Sequence, residues 1–160
     1  MTVDAQTGSI AFSSYVLFRY NSATLTKESQ NTLKSVIPMY LDVLLQSQYR
    51  DYIAEIIIEG HTDTKGTYES NMNLSYNRAN AVANFCMDAN HGLSSQQISN
   101  LQRLLTVNGR SYSDPIYSSS YGPGNVEVDM DASRRVEIKF RLKEDEMINK
   151  IAKLLEQEQG

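Results

Sequence analysis

The sequence predicts an α+β fold: a two-layer α/β sandwich in which helices pack mainly on one face of a single sheet. Three observations carry that expectation. Strand-like and helix-like segments follow in the order strand, helix, strand, helix, strand, strand, with mostly short connections. The run Ile53 to Glu59 holds three successive Ile residues, the pattern of a strand buried on both faces. The segment Arg134 to Leu142 alternates strictly, with Val136, Ile138, Phe140 and Leu142 on one face and charges on the other. A doubly wound nucleotide-binding fold is the competitor. It needs a Gly-rich turn after a strand, and Gly60 to Gly66 fits neither Gly-x-Gly-x-x-Gly nor the phosphate-loop pattern.

The elements follow in chain order. Ile10 to Tyr20 is rich in aromatic and β-branched residues behind Gly8, which predicts a strand with Phe12, Val16, Phe18 and Tyr20 on one face. Thr26, followed by Leu33, Val36, Ile37, Tyr40, Leu41, Leu44 and Leu45 at three-and-four spacing, predicts a long amphipathic helix with a bend at Pro38. The central Ile strand comes next, then a polar turn from Gly60 to Thr67. A second helix follows, with an inner stripe of Leu74, Arg78, Ala81, Val82, Phe85 and Cys86, ending near Asn90 to Gly92 with Gly92 as a left-handed cap. A short helical segment, Ser94 to Leu101, leads to a strand from Arg103 to Val107. Residues 108–133 are rich in Ser, Tyr, Gly, Pro and Asp and read as one long loop. Beyond the last strand, Met147, Ile148, Ile151, Leu154 and Leu155 fall at helical spacing. The chain therefore divides into a domain over 1–143, including the 108–133 loop, and a C-terminal amphipathic helix over 144–160. That helix is expected to dock on the domain's own sheet, with a partner helix as the alternative.

Composition excludes several classes. With 160 residues the chain suits one domain of ordinary size. Lys and Arg number 15 against 19 Asp and Glu, a net charge of -4, so a general nucleic-acid or anionic-lipid footprint is not expected. One Cys excludes an internal disulfide and the paired-Cys zinc and redox motifs. The longest apolar stretch, Val36 to Leu45, is interrupted by Pro38, Tyr40 and Asp42 and falls short of the ~20 residues of a spanning helix. Met1 to Ile10 lacks the charged and apolar regions of a secretory signal. The chain is either cytoplasmic or a soluble piece of something longer.

The residues that could carry chemistry gather around the turn after the Ile strand. His61, Thr62 and Asp63 leave the strand end and feed the second helix, where open sheets commonly bind ligands. Arg78 lies on the helix face that looks back at the sheet, so Asp63 and Arg78 can face one cavity. A carboxylate and a guanidinium held apart suit a zwitterion, each taking one of its charges. The competing reading is that Asp63 and Arg78 pair with each other and pin loop to helix. His61 with Asp63 could also suggest a metal or an acid/base pair, but with two His in the chain and His91 at the far end of the helix, ligands are lacking; no metal and no cofactor are expected. Ser75 has no His placed to activate it.

Several motifs in order then resemble a known family. Glu59-Gly60-His61-Thr62-Asp63, Gly66, Asn71, Leu74-Ser75, Arg78-Ala79 and Arg134-Arg135-Val136-Glu137 are similar to the signature of OmpA-like C-terminal domains, which include peptidoglycan-associated lipoproteins and MotB-type stator subunits. Val3-Asp4, Thr7-Gly8, Ile10 and Leu17 to Leu25 resemble the first strand and its exit in stator-type members. The resemblance covers most of Val3 to Leu142. It implies a βαβαβ-type core with a mixed sheet and a non-catalytic domain that grips the diaminopimelate of the peptidoglycan stem peptide. By the same resemblance Asp63 and Arg78 hold that residue, while Thr62, Asn71, Leu74, Tyr20 and Asn21 line the pocket. His61, Arg134 and Arg135 are implied as supporting residues, one Arg serving the site and the other packing or pairing at the surface. Ser133 stands where the family has Asn, which calls the anchoring of the neighbouring loop into question. Tyr112, Tyr117 and Tyr121 have no counterpart; they could stack on glycan, with simple solvent exposure the competing expectation. The implied setting is the periplasm, as the soluble part of a membrane-anchored, most closely MotB-like protein, with a homodimer as a further partnership. On that reading the N-terminus is truncated. The alternative function is a dimerisation or interaction module of a motor-like complex with little peptidoglycan affinity.

Overall fold

The two segments with the clearest strand patterns pair with each other at the centre of the sheet. The computed structural model describes residues 1–119 and 126–158. In chain order the elements are β1 (Thr2–Val3), β2 (Ile10–Ser13), α1 (Ser14–Leu17), α2 (Lys27–Leu44), a 3-10 turn (Arg50–Tyr52), β3 (Ile53–His61), α3 (Tyr68–Met87), α4 (Ser95–Leu104) and β4 (Leu105–Gly109). They continue with β5 (Tyr117–Ser119), β6 (Val126–Val128), α5 (Met130–Ser133), β7 (Arg135–Leu142) and α6 (Asp145–Glu158). The main sheet runs β1-β2-β7-β3-β4, with β3 and β4 parallel and every other pair antiparallel, and β5 with β6 forms a separate hairpin. This is the predicted α+β sandwich with a mixed sheet.

Helix geometry follows the apolar spacing. Thr26 caps α2 by accepting from the Ser29 backbone at 3.2 Å, and Leu33, Ile37, Tyr40, Leu41 and Leu44 are buried from there on. Pro38 sits inside α2 without ending it. Helix α3 lies close against the sheet because β3 and β4 each present a glycine beneath it. Gly60 and Gly109 are register partners; a Cβ on Gly60 would stand 2.0 Å from the Ser75 carbonyl oxygen, and one on Gly109 would stand 2.7 Å from the Tyr76 nitrogen. Ser75 Oγ donates to the Met72 carbonyl and accepts from the Ser111 backbone at 3.0 Å, so this hydroxyl is occupied in structure.

Four expectations change. The first strand ends at Ser13; a helical turn follows, leaving Val16 about half exposed and Tyr20 fully exposed instead of on one face with Phe12. Aromatic and β-branched residues fill this turn as readily as a strand, so alternation alone does not reveal it. The 108–133 segment is not one loop but carries the β5–β6 hairpin and α5; Tyr121 lies outside the described residues. Gly92 does adopt φ +102, yet α3 already ends at Met87, so it turns the connection and does not cap the helix. Finally, α6 does not dock on the sheet. It has no buried residues, and Met147, Ile148, Ile151, Leu154 and Leu155 are all exposed. The open face offers it little apolar surface, because Glu55, Glu59, Glu137, Lys139 and Arg141 are paired across it.

Candidate functional site

The register of the sheet builds the site. Ser13 pairs with Arg135, and Arg135 pairs with His61, so the end of β2, the start of β7 and the end of β3 lie side by side. The residues just past these points, Ser14, Arg134, Thr62 and Asp63, are thereby brought together from three distant parts of the chain. The Ser14 backbone donates to the Arg134 carbonyl at 2.9 Å, and Thr62 N–H donates to the Ser111 carbonyl at 2.9 Å. A cavity of about 650 Å³ opens over this sheet end. Thr62, Asp63, Asn71, Leu74, Arg78, Tyr20, Asn21 and Arg134 all line it, the full predicted pocket set together with one supporting residue.

Local structure fixes each side chain. Asp63 Oδ1 accepts from the Lys65 backbone at 2.9 Å, a side-chain turn that orients the carboxylate. Gly66, at φ +87, reverses the chain, and Asn71 Nδ2 clamps the turn by donating to the carbonyls of Lys65 at 2.7 Å and Thr67 at 3.0 Å. Thr67 then caps α3 through the Ser70 backbone. Arg78, two turns after Asn71, is only 6% exposed. Its Nε donates to the Ser22 carbonyl at 2.9 Å, and its guanidinium lies 5.2 Å from the centroid of the Phe18 ring.

The two open readings of Asp63 and Arg78 separate here. They face one cavity, but Asp63 is ion-paired with Arg134, whose other arm holds Asp131. Among the described residues no carboxylate oxygen lies within 4.0 Å of the Arg78 guanidinium nitrogens. Burial and the nearby Arg134 charge lower the Arg78 pKa from its usual value, with Asp63 opposing. Burial alone would lower that of Arg134, but Asp63 and Asp131 outweigh it and raise it.

The other two supporting residues lie outside this cavity wall. His61 is fully buried, with Nε2 2.9 Å from Glu59 Oε1 and 3.6 Å from Glu137 Oε2, an ion contact when the ring is protonated. Arg135 is buried, not at the surface, and holds Glu137 at 2.7 Å. Burial raises the Glu59 carboxyl, but the His61 ring and the Lys139 ammonium overcome it and hold the pKa at about 2. The His61 ring, against burial, and the Arg135 guanidinium bring Glu137 to about 2 as well. Burial lowers His61, yet Glu137 and Glu59 leave it raised. Glu59, His61 and Glu137 offer ligand atoms within 4.8 Å of one another. Lys139 and Arg135 already neutralise the two carboxylates, so this is a closed ion network. Ser133 is buried and its hydroxyl accepts from the Ile116 backbone N–H at 2.9 Å, so this side chain does anchor the neighbouring loop.

The cavity also contains residues that sequence reasoning passed over: Tyr15, Phe18, Arg19 and Lys65. Arg19 and Lys65 sit beside recognised motif residues, but their direction depends on the turns that carry them. Tyr112 packs edge-on against Tyr68, with centroids 5.5 Å apart, and Tyr117 is exposed on the hairpin.

The fold thus brings a carboxylate from the turn after β3 and a buried guanidinium from α3 to one cavity. The OmpA family model matches residues 17–127, and the chain belongs to that family. It is 28% identical over 145 residues to the Zorya protein ZorB of Escherichia coli O139:H28, an alignment covering 88% of this chain and 54% of ZorB. The chain thus spans little more than half the length of the curated relatives it matches, reaching 63% of a second ZorB. Among solved structures it is similar to the periplasmic domain of Helicobacter pylori MotB, with a TM-score of 0.56, 19% identity and coverage of 94% of this chain and 85% of that one. It is also similar to the peptidoglycan-associated lipoprotein of Burkholderia pseudomallei, with a TM-score of 0.51, 21% identity and coverage of 79% and 88%. These two likenesses establish the fold.

Proposed function

We propose that this domain binds peptidoglycan without catalysis, holding the free end of diaminopimelate in the stem peptide and so anchoring a membrane-attached, stator-like protein to the cell wall from the periplasm. The observation that carries the reading is Arg78, a buried guanidinium with no carboxylate in reach among the described residues. A buried cation lacking a counter-charge is costly in an empty protein and becomes useful when a ligand carboxylate completes it. Asp63 takes the ammonium, exchanging part of its contact with Arg134. Thr62, Asn71 and Leu74 shape the wall, and Tyr20 with Asn21 closes the near side. The name of the peptidoglycan-associated lipoprotein with the same fold agrees with this ligand. Binding without turnover fits this arrangement, since His61 lies outside the cavity wall in its ion network and Ser75 Oγ is held in backbone contacts.

The test is cosedimentation with purified sacculi. Asp63→Ala and Arg78→Ala are each expected to weaken binding by about 2 to 5 kcal/mol while the fold persists. Full binding by both variants sinks the assignment.

One observation favours a second role alongside the first. The exposed apolar stripe of α6 suits a partner helix, and a second copy of the chain is the proposed partner. Light scattering is expected to show a dimer that is lost on removing residues 144–160; a monomer at high concentration in both forms refutes it.

A further inference from the structure

The chain as a whole carries a net charge of -4, yet its cavity is strongly cationic. Arg19, Lys65, Arg78 and Arg134 line it, against Asp63 in the wall and Asp131 behind Arg134. Both of these carboxylates are engaged by the single guanidinium of Arg134. Among the described residues, no carboxylate oxygen lies within 4.0 Å of the charged nitrogens of Arg19, Lys65 or Arg78. The wall thus keeps an excess of positive charge. A zwitterionic end group, with its ammonium at Asp63 and its carboxylate at Arg78, is neutral overall and leaves that excess unmet. The cavity of about 650 Å³ is also far larger than one amino-acid end group needs, so neighbouring residues of the ligand enter it.

We propose that Arg19 and Lys65 read a second free carboxylate, that of the glutamate preceding diaminopimelate, and that the pocket thereby distinguishes stem peptides whose glutamate carboxyl is free from those in which it is amidated. The inference rests on the peptidoglycan reading above and adds a specificity to it. Carboxylate and carboxamide have nearly the same shape, so sterics do not separate them. Charge does: the amide is neutral, and its NH2 brings donors toward Arg and Lys, which are themselves donors only. Each rim cation alone, being flexible and hydrated, contributes little. Two of them acting with Arg78 and Arg134 across a concave wall create a field that favours an anion.

The experiment is calorimetric titration of the full chain with two soluble disaccharide-tripeptides, identical except that the glutamate carboxyl is free in one and amidated in the other. The wild type is expected to bind the free form about five- to tenfold more tightly. In the double variant Arg19→Gln with Lys65→Gln, whose folding is checked by thermal melting, the ratio is expected to fall to near one. Equal affinity of the two peptides for the wild type overturns the proposal, as does a ratio that survives in the double variant. Absence of binding by both peptides overturns the peptidoglycan reading itself and this specificity with it.

Discussion

Arg78 holds an unusual position for a charged residue. Its surroundings supply one carbonyl and an aromatic face, with no carboxylate in salt-bridge contact and only the more distant Asp63 opposing, so the charge is poorly compensated. This separates function from stability at a single side chain. Replacing Arg78 with Met keeps the apolar stem, removes the buried charge and leaves only the Ser22 carbonyl without its donor. Thermal stability of Arg78→Met is therefore expected to stay within about 1 kcal/mol of the wild type, or to rise, while binding to sacculi is lost. A fall of several kcal/mol in a denaturant titration would instead mark Arg78 as a clamp between helix and loop. Arg134 shows why spacing in the sequence left two readings open. Asp63 does pair with an arginine, but not with Arg78 as the structural reading has it: the partner lies 71 residues away, in the bend between α5 and β7.

Helix α3 positions the site by resting on two glycines, and this contact is where an element-level change is felt most. Gly60→Ala places a methyl carbon where the Ser75 carbonyl oxygen stands, a backbone atom that cannot turn aside. Overpacking of this kind costs about 1 to 3 kcal/mol, and a clash with backbone on both sides belongs at or beyond the upper end. A melting temperature unchanged in Gly60→Ala would show that α3 floats over the sheet. The central elements were readable because their signals are local: three Ile residues in the middle strand, strict alternation in β7, and three-and-four spacing in α2. The misread elements are those whose form depends on distant partners. The turn 14–17 is helical because its ends are tied to Arg134 and to the α2 cap, through Ser14 N–H and the Leu17 carbonyl. The β5–β6 pair is held by Asp129 N–H donating to the Ile116 carbonyl, in addition to its own ladder. Likewise Arg19 and Lys65 carry no signal of their own, and only the meeting of three segments turns them toward one cavity.

Over the whole molecule, the ion network on the open sheet face ties folding to pH. His61 has a folded pKa above its ordinary 6.5, so its contribution is complete below that value and is lost as pH rises through the raised one. Glu59 and Glu137 are depressed from 4.5 to about 2, so theirs is complete above 4.5 and is lost as pH falls toward 2. The network thus supports folding most between pH 4.5 and 6.5. Thermal melts across pH are expected to peak in that window, and Glu137→Gln is expected to flatten both limbs. A stability that keeps rising above neutral pH would contradict the assignment.

The shared end of β2, β7 and β3 has a mechanical meaning as well. On the proposed reading, a ligand held at Asp63 pulls on the end of β3, a strand paired along nearly its whole length with antiparallel β7 and from Ile56 to Gly60 with parallel β4. Drawing β3 along its axis slides it against both neighbours, so many hydrogen bonds must yield together and none can be peeled open one at a time. Resistance to pulling is governed by the unfolding rate. On the proposed reading, load through the ligand is thereby resisted by the same register that assembles the pocket.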